Sequence, residues 1–132
     1  MSSLAVRVYY EDTDAGGVVY HANHIKYFER ARTEWLRERG YDQDRLMEDD
    51  LCFVVRDLAV QYRRPALFND LLQVTTEVSE VKRASVRFSQ AIFNSQQQLI
   101  AEATVTVASV ALSAMKACAL PAEIKEEFIR AR

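Results

Sequence analysis

At 132 residues the chain has the length of one domain, 1–132, and no break in composition divides it. Its hydrophobic fraction of 49% supplies enough apolar side chain for a packed core and excludes a disordered chain. A net charge of −2 excludes a general nucleic-acid binder, because displacing counterions from a phosphate backbone needs a basic surface.

The start, MSSLAVRVYYED, lacks the basic-then-apolar pattern of a secretory signal. Residues 5–10, rich in Val and Tyr, predict a strand. EDTDAGG then reads as a polar turn. A helix follows, with Ile25, Phe28, Ala31, Trp35 and Leu36 on one side of a 3.6-residue repeat and Glu29, Arg30, Glu34, Arg37 and Glu38 largely on the other. Phe28 and Trp35 are therefore assigned to the core. Asn23 is the expected N-cap and Gly40 the expected residue just past the C-terminus. Residues 42–50 suggest a short acidic helical turn, and residues 51–62 a strand that Pro65 prevents from continuing.

Asn69 and Asp70 form a turn, and three strands follow at hairpin spacing over 71–82, 85–94 and 99–113. Leu72, Val74 and Val78 share a face of the first, and Val86, Phe88 and Ile92 a face of the second. Pro121 opens a short terminal helix. A helix followed by a run of strands predicts an α+β fold, with an antiparallel sheet curved around one long helix. No window approaches the roughly 18 apolar residues that span a bilayer, so a soluble cytoplasmic protein without an integral membrane segment is expected. Cys52 and Cys118 have no CxxC spacing and read as free thiols.

The chain has only three glycines, Gly16, Gly17 and Gly40, and no Walker loop, dinucleotide fingerprint or GxSxG. The informative stretch is residues 9–37, which holds two turn aspartates, two adjacent glycines and both histidines in a strand-to-helix connection. Gly16 and Gly17 permit backbone conformations closed to other residues and close approach by a ligand. The helix behind them offers free N–H groups and a partial positive end that can hold a phosphate or polarise a carbonyl. A carboxylate beside such an end suits attack on a thioester, whose carbonyl is less resonance-stabilised than that of an amide. His21, His24, Asp12 and Asp14 also invite a metal reading, but catalytic zinc needs three firmly placed ligands, and no metal or cofactor is expected. Asp12 reads as structural, holding the loop, and His24 as a packed residue.

The stretch VRVYYEDTDAGGVVYHANHIKYFERARTEWL resembles the signature of the 4-hydroxybenzoyl-CoA thioesterase family, in the form of its YbgC-type, Tol–Pal-associated acyl-CoA thioesterases. FVVRDLAVQYRRPA, TTEVSEVKRASVRFSQAI and ALPAEI extend the resemblance over nearly the whole chain. It implies a hotdog fold, and a homodimer whose two sheets join, often paired into a homotetramer, with active sites at the dimer interface. It implies hydrolysis of acyl-CoA, or of an acyl carrier protein thioester, to free acid and thiol. Asp14 takes the place of the catalytic base or nucleophile, and His21 that of the helix-end residue whose backbone N–H polarises the carbonyl. Gly17, Val19 and Tyr20 flank them as substrate-binding candidates, with Lys82 and Arg83 as the basic pair for the nucleotide phosphate. Arg63 and Arg64 are a second basic pair that could grip phosphate. His24 stands where many relatives have Tyr, and His21 where the 4-hydroxybenzoyl branch has an aromatic residue, which bears on acyl preference more than on reaction type. Two other readings stand beside this one. A hotdog dehydratase would show a His before a Gly-Pro-rich helix start, which is missing here. A carrier-protein-binding or envelope-linked module with weak catalysis would not need an intact Asp14 and glycine turn.

Overall fold

The computed structural model describes residues 2–132. Strand β1 (Ser2–Arg7) leads through a single 3-10 turn (Tyr10–Asp12) to the long helix α1 (His21–Glu38). The short helix α2 (Gln43–Glu48) and strands β2 (Leu51–Tyr62), β3 (Leu71–Val81), β4 (Ser85–Phe93) and β5 (Leu99–Ala111) follow. The two-residue strand β6 (Lys116–Ala117) and helix α3 (Ala122–Arg130) complete the order. The sheet is antiparallel with strand order β1-β3-β4-β5-β2, and β6 pairs with the end of β5. This is the α+β hotdog arrangement, a curled sheet with one long helix held in its concavity.

Alternation along the strands explains which face holds the helix. Leu72, Val74, Thr76 and Val78 of β3 point inward, as do Val86, Phe88, Gln90 and Ile92 of β4, and all are buried. Against them α1 lays Phe28, Ala31, Trp35 and Leu36, all buried as the repeat requires. Trp35 stacks on Phe128 of α3 with ring centroids 5.5 Å apart and meets Phe88 edge-on at 5.7 Å. The helix pattern did not reveal a polar insert in this core. Gln90 donates from Nε2 to the Phe28 carbonyl and to Thr76 Oγ1, both at 3.0 Å, which turns its Oε1 toward Arg32 Nη1, also 3.0 Å away.

Two expectations shift in position. β1 begins at Ser2 rather than residue 5, because the edge of β3 offers pairing partners as far as Thr76 for Ser2. The N-cap of α1 is Tyr20 rather than Asn23; Asn23 lies in the first turn, where its N–H donates to the Tyr20 carbonyl at 2.8 Å. Cys52 and Cys118 are free thiols.

At the other end of α1, Gly40 sits at φ +88°. Its N–H donates to the Arg37 carbonyl and the Tyr41 N–H to the Leu36 carbonyl, each at 3.0 Å, which together satisfy the last turn. No atom within 4 Å would meet a Cβ added there, so the requirement for glycine is conformational and not steric. Gly40→Ala is expected to cost about 1 kcal/mol, read as a lower urea midpoint at unchanged slope, and Gly40→Asn to recover most of that loss.

Candidate active site

The connection from β1 to α1 is built around Asp12. Its carboxylate accepts from the Tyr9 N–H at 2.9 Å and fixes the 3-10 turn. Its carbonyl accepts from the Tyr20 N–H at 2.9 Å and from Asn23 Nδ2 at 2.8 Å, which ties the turn to the first residues of α1. Asp12 is thus a structural staple, as its sequence context suggests.

Residues 13–19 form a small hairpin closed by a bridge between Thr13 and Val19. The Asp14 N–H donates to the Val18 carbonyl at 2.9 Å, and the Gly17 N–H returns to the Asp14 carbonyl at 3.0 Å. Gly17 has φ +80°, the left-handed region that other residues avoid. Gly16 serves differently: its N–H donates to Asp14 Oδ1 at 2.9 Å, and a Cβ on it would come within 3.2 Å of that oxygen. The two glycines therefore hold the carboxylate in an exposed turn with one hydrogen bond, leaving its other lone pairs free. The hairpin is pinned to the segment after Pro65 through the bridge of Val18 to Leu67 and the Val19 N–H on the Ala66 carbonyl at 2.8 Å.

Val19 is buried and Tyr20 is exposed, with its ring 4.6 Å from that of His21. His21 is the first residue of α1. Its N–H and that of Ala22 have no acceptor among the described residues, as geometry dictates for a helix start without a side-chain cap. The His21 carbonyl accepts from the Tyr62 hydroxyl at 2.7 Å and lies 3.2 Å from His24 Nδ1. Beside them is an open pocket of about 340 Å³ lined by Val19, His21, His24, Tyr62, Arg63, Arg64 and Pro65. Tyr62 gave no signal in the sequence, because its role depends on the end of β2 lying beside the start of α1.

Asp14, Gly17, Val19, Tyr20 and His21 thus fall in one continuous connection, and Arg64 reaches the same pocket. Lys82 and Arg83 do not. They occupy the β3–β4 turn, where Lys82 Nζ lies 3.6 Å from Glu80. β5 pairs Ala101 with Tyr62 and Ala108 with Ser85, so seven residues, about 23 Å of strand, separate this turn from the helix start within one chain. Among the described residues no three His, Cys, Asp or Glu side chains are grouped so as to hold a metal ion.

Two buried polar groups back the site. His24 is 3% exposed and, among the described residues, its Nε2 has no partner and the Tyr27 hydroxyl likewise makes no hydrogen bond of acceptable geometry. Burial, followed by the nearby Asp12 carboxylate, pushes the Tyr27 phenol well above its ordinary value. Burial pushes the His24 imidazole down, against smaller opposing effects of the His21 and Tyr20 backbone. An imidazole kept neutral by folding binds fewer protons folded than unfolded, so the stability it confers is complete above the unfolded value near 6.5 and is lost as pH falls below it. Replacing His24 with Phe is expected to flatten the fall in urea midpoint between pH 7.5 and 5.5, and an unchanged slope would show that His24 protonates equally in both states.

With this geometry in hand, comparison with known proteins is informative. Residues 8–128 match the model of the thioesterase-like superfamily. The acyl-CoA thioesterase YbgC of Haemophilus influenzae is 53% identical over 127 residues, 96% of this chain and 93% of that protein. The acyl-CoA thioester hydrolase YbgC of Escherichia coli O6:H1 is 48% identical over 93% of this chain and 92% of its own length. Among solved structures, a probable thioesterase from Bartonella henselae superposes with a TM-score of 0.86 at 35% identity, covering 91% of this chain and 98% of that one. Sequence and fold agree over nearly the full length: the chain belongs to the thioesterase-like superfamily.

Proposed function

We propose that the protein hydrolyses acyl-CoA thioesters to free acid and coenzyme A, with Asp14 as general base or nucleophile. The observation that supports this most is the pair of unclaimed N–H groups, on His21 and Ala22, at the mouth of a pocket one short hairpin away from the Asp14 carboxylate. A thioester carbonyl oxygen set on those amides gains negative charge as its carbon is attacked, and fixed donors in a partly dry site stabilise that charge. As base, Asp14 takes a proton from water, whose oxygen bonds to the carbonyl carbon. As nucleophile, it forms an anhydride that water then opens. In either case the carbon–sulfur bond breaks, the sulfur leaves as thiolate and is protonated, and the acid is released. The names of the YbgC relatives point to the same substrate class.

The reading also calls for a dimer. β2 is a twelve-residue edge strand with Val54, Val55, Leu58 and Tyr62 exposed, and an edge of this length and character invites pairing with another strand. Antiparallel pairing of two β2 strands about a two-fold axis near Leu58 would set the partner's Val54 end beside this chain's Tyr62 end. The partner's β3–β4 turn would then lie at least three strands across, about 14 Å away, within reach of the nucleotide of a bound coenzyme A. On this account Lys82 and Arg83 bind phosphate for the neighbouring site, while Gly17, Val19 and Tyr20 shape the local one. Arg64, at the pocket itself, is a further candidate for phosphate binding.

Thiol release from a panel of acyl-CoAs, short aliphatic through long-chain to benzoyl, is the direct test. Asp14→Asn keeps the oxygen that accepts from Gly16, so the hairpin is retained while the charge is lost. Its turnover is expected to fall at least about 100-fold with folding unchanged, and near-normal activity would remove Asp14 from the mechanism. Sedimentation of the wild-type protein is expected to give at least twice the mass of the chain, and a monomer that retains full activity would refute the shared site.

A further inference from the structure

A second pocket lies further along α1 from the one at its start. α1 meets the end of β2 where the Tyr62 hydroxyl donates to the His21 carbonyl and the Tyr62 ring meets His24, while part of the inner face of β2 beyond them is left exposed. Leu58 and Val55 continue the apolar wall from Tyr62 and are 36% and 47% exposed. The second pocket, of about 90 Å³, has Leu36, Phe53, Val55, Phe88, Val107 and Phe128 in its apolar lining. Two charged side chains share this lining, Glu29 and Arg32; Glu29 is exposed and only Arg32 is buried.

Arg32 is 8% exposed. Its Nη1 donates to Gln90 Oε1 at 3.0 Å, and no carboxylate among the described residues lies within ion-pair distance. Burial lowers its pKa, and the charge of Glu29 on the same helix only partly offsets this. A guanidinium remains a cation at neutral pH, and a buried cation with one neutral acceptor is expensive unless an anion completes it. Gln90 cannot turn away, since its amide nitrogen is committed to Phe28 and Thr76. The bond to Gln90 draws the guanidinium back beneath Phe28, the direction in which helical side chains lean. The remaining guanidinium N–H groups have no protein acceptor among the described residues, and the side chain borders the pocket.

We propose that Arg32 receives a carboxylate at the far end of the acyl chain, so that the preferred substrates are coenzyme A thioesters of dicarboxylic acids. From His21 to Phe28 the helix rises roughly 10 Å, which an extended acyl chain of about six to eight carbons spans with a hydrogen bond at each end. The methylene chain lies along Leu58 and Val55, and the terminal carboxylate meets the planar fork of the guanidinium. The inference rests on the thioesterase reading and names the substrate class of the same site.

Adipyl-CoA and hexanoyl-CoA have the same chain length and differ in the terminal group, so their kcat/KM values compare directly by thiol release. The wild-type protein is expected to favour adipyl-CoA by about tenfold or more, chiefly through KM, because a remote contact binds ground state and transition state alike. Arg32→Met is expected to lower the adipyl-to-hexanoyl ratio at least about tenfold, and Arg32→Lys to retain part of it. The wild-type comparison needs no variant to fold. Equal or greater efficiency on hexanoyl-CoA would overturn the inference and leave the thioesterase reading intact; this is the result expected if a carboxylate of a second copy of the chain occupies the guanidinium. An adipyl preference that survives Arg32→Met would also overturn it. Hydrolysis of no acyl-CoA at all would instead defeat the thioesterase reading, and the inference with it.

Discussion

Asp12 holds the first residues of α1 against the end of β1, and the candidate site depends on that joint. Its carboxylate caps the turn it sits in, while its carbonyl takes the Tyr20 N–H and the Asn23 side-chain amide. With these groups committed, the helix begins at His21 with two amides to spare, and residues 13–19 form a hairpin and not a loose loop. Asp14 projects from that hairpin because Gly17 supplies the positive φ that closes the turn and Gly16 leaves room for the carboxylate. These groups are thus placed by backbone hydrogen bonds, each worth about 1 kcal/mol net, and not by side-chain packing. That makes the geometry tolerant of changes in the core but sensitive to changes at Asp12, Gly16 and Gly17.

Much of the architecture was legible in the sequence because it follows from period. The 3.6-residue stripe through Phe28, Ala31 and Trp35 identifies the central helix, and alternation in residues 71–93 identifies a hairpin with one buried face. β2 coincides with residues 51–62, bounded by the left-handed Asp50 on one side and the approach to Pro65 on the other. Signals that depend on distant partners were weaker. Ser2 and Ser3 have little strand propensity and join β1 only because β3 presents an edge to them. Asn23 looks like an N-cap by residue type, but the helix starts one turn earlier, since Asp12 supplies an acceptor that local sequence cannot show. The two-residue β6 has no periodicity to detect.

The candidate site divides in the same way. Asp14, both glycines and His21 lie within eight residues of one another, so a linear motif can carry them. Lys82 and Arg83 are close to this motif only through the sheet register, which puts them at the opposite end of the same chain. Tyr62 and Arg64 are near it for the converse reason, that β2 ends where α1 begins. Arg32 was the least visible of all. In sequence it is one basic residue in a charged helix, and its burial emerges only from the bond to Gln90 across the core.

The polar residues of α1 follow a pattern that packing alone does not explain. A helix enclosed by a sheet would be most stable with apolar residues wherever it is covered, yet His24 and Arg32 are both nearly inaccessible, eight residues apart on the side that faces β2. Gln90 is engaged by Phe28, Thr76 and Arg32, and its replacement by an apolar residue of similar size would remove the only protein acceptor of this buried cation among the described residues. Such groups lower stability unless something outside the chain completes them. The side of the helix that meets β1 and β3 carries the apolar stripe and supplies cohesion. The side that meets β2 is left partly unfilled, bordered by the free amides of His21 and Ala22 at one end and by a guanidinium at the other. Donor groups at both ends polarise that side of the helix along its length, which suits an elongated ligand with acceptors at both ends.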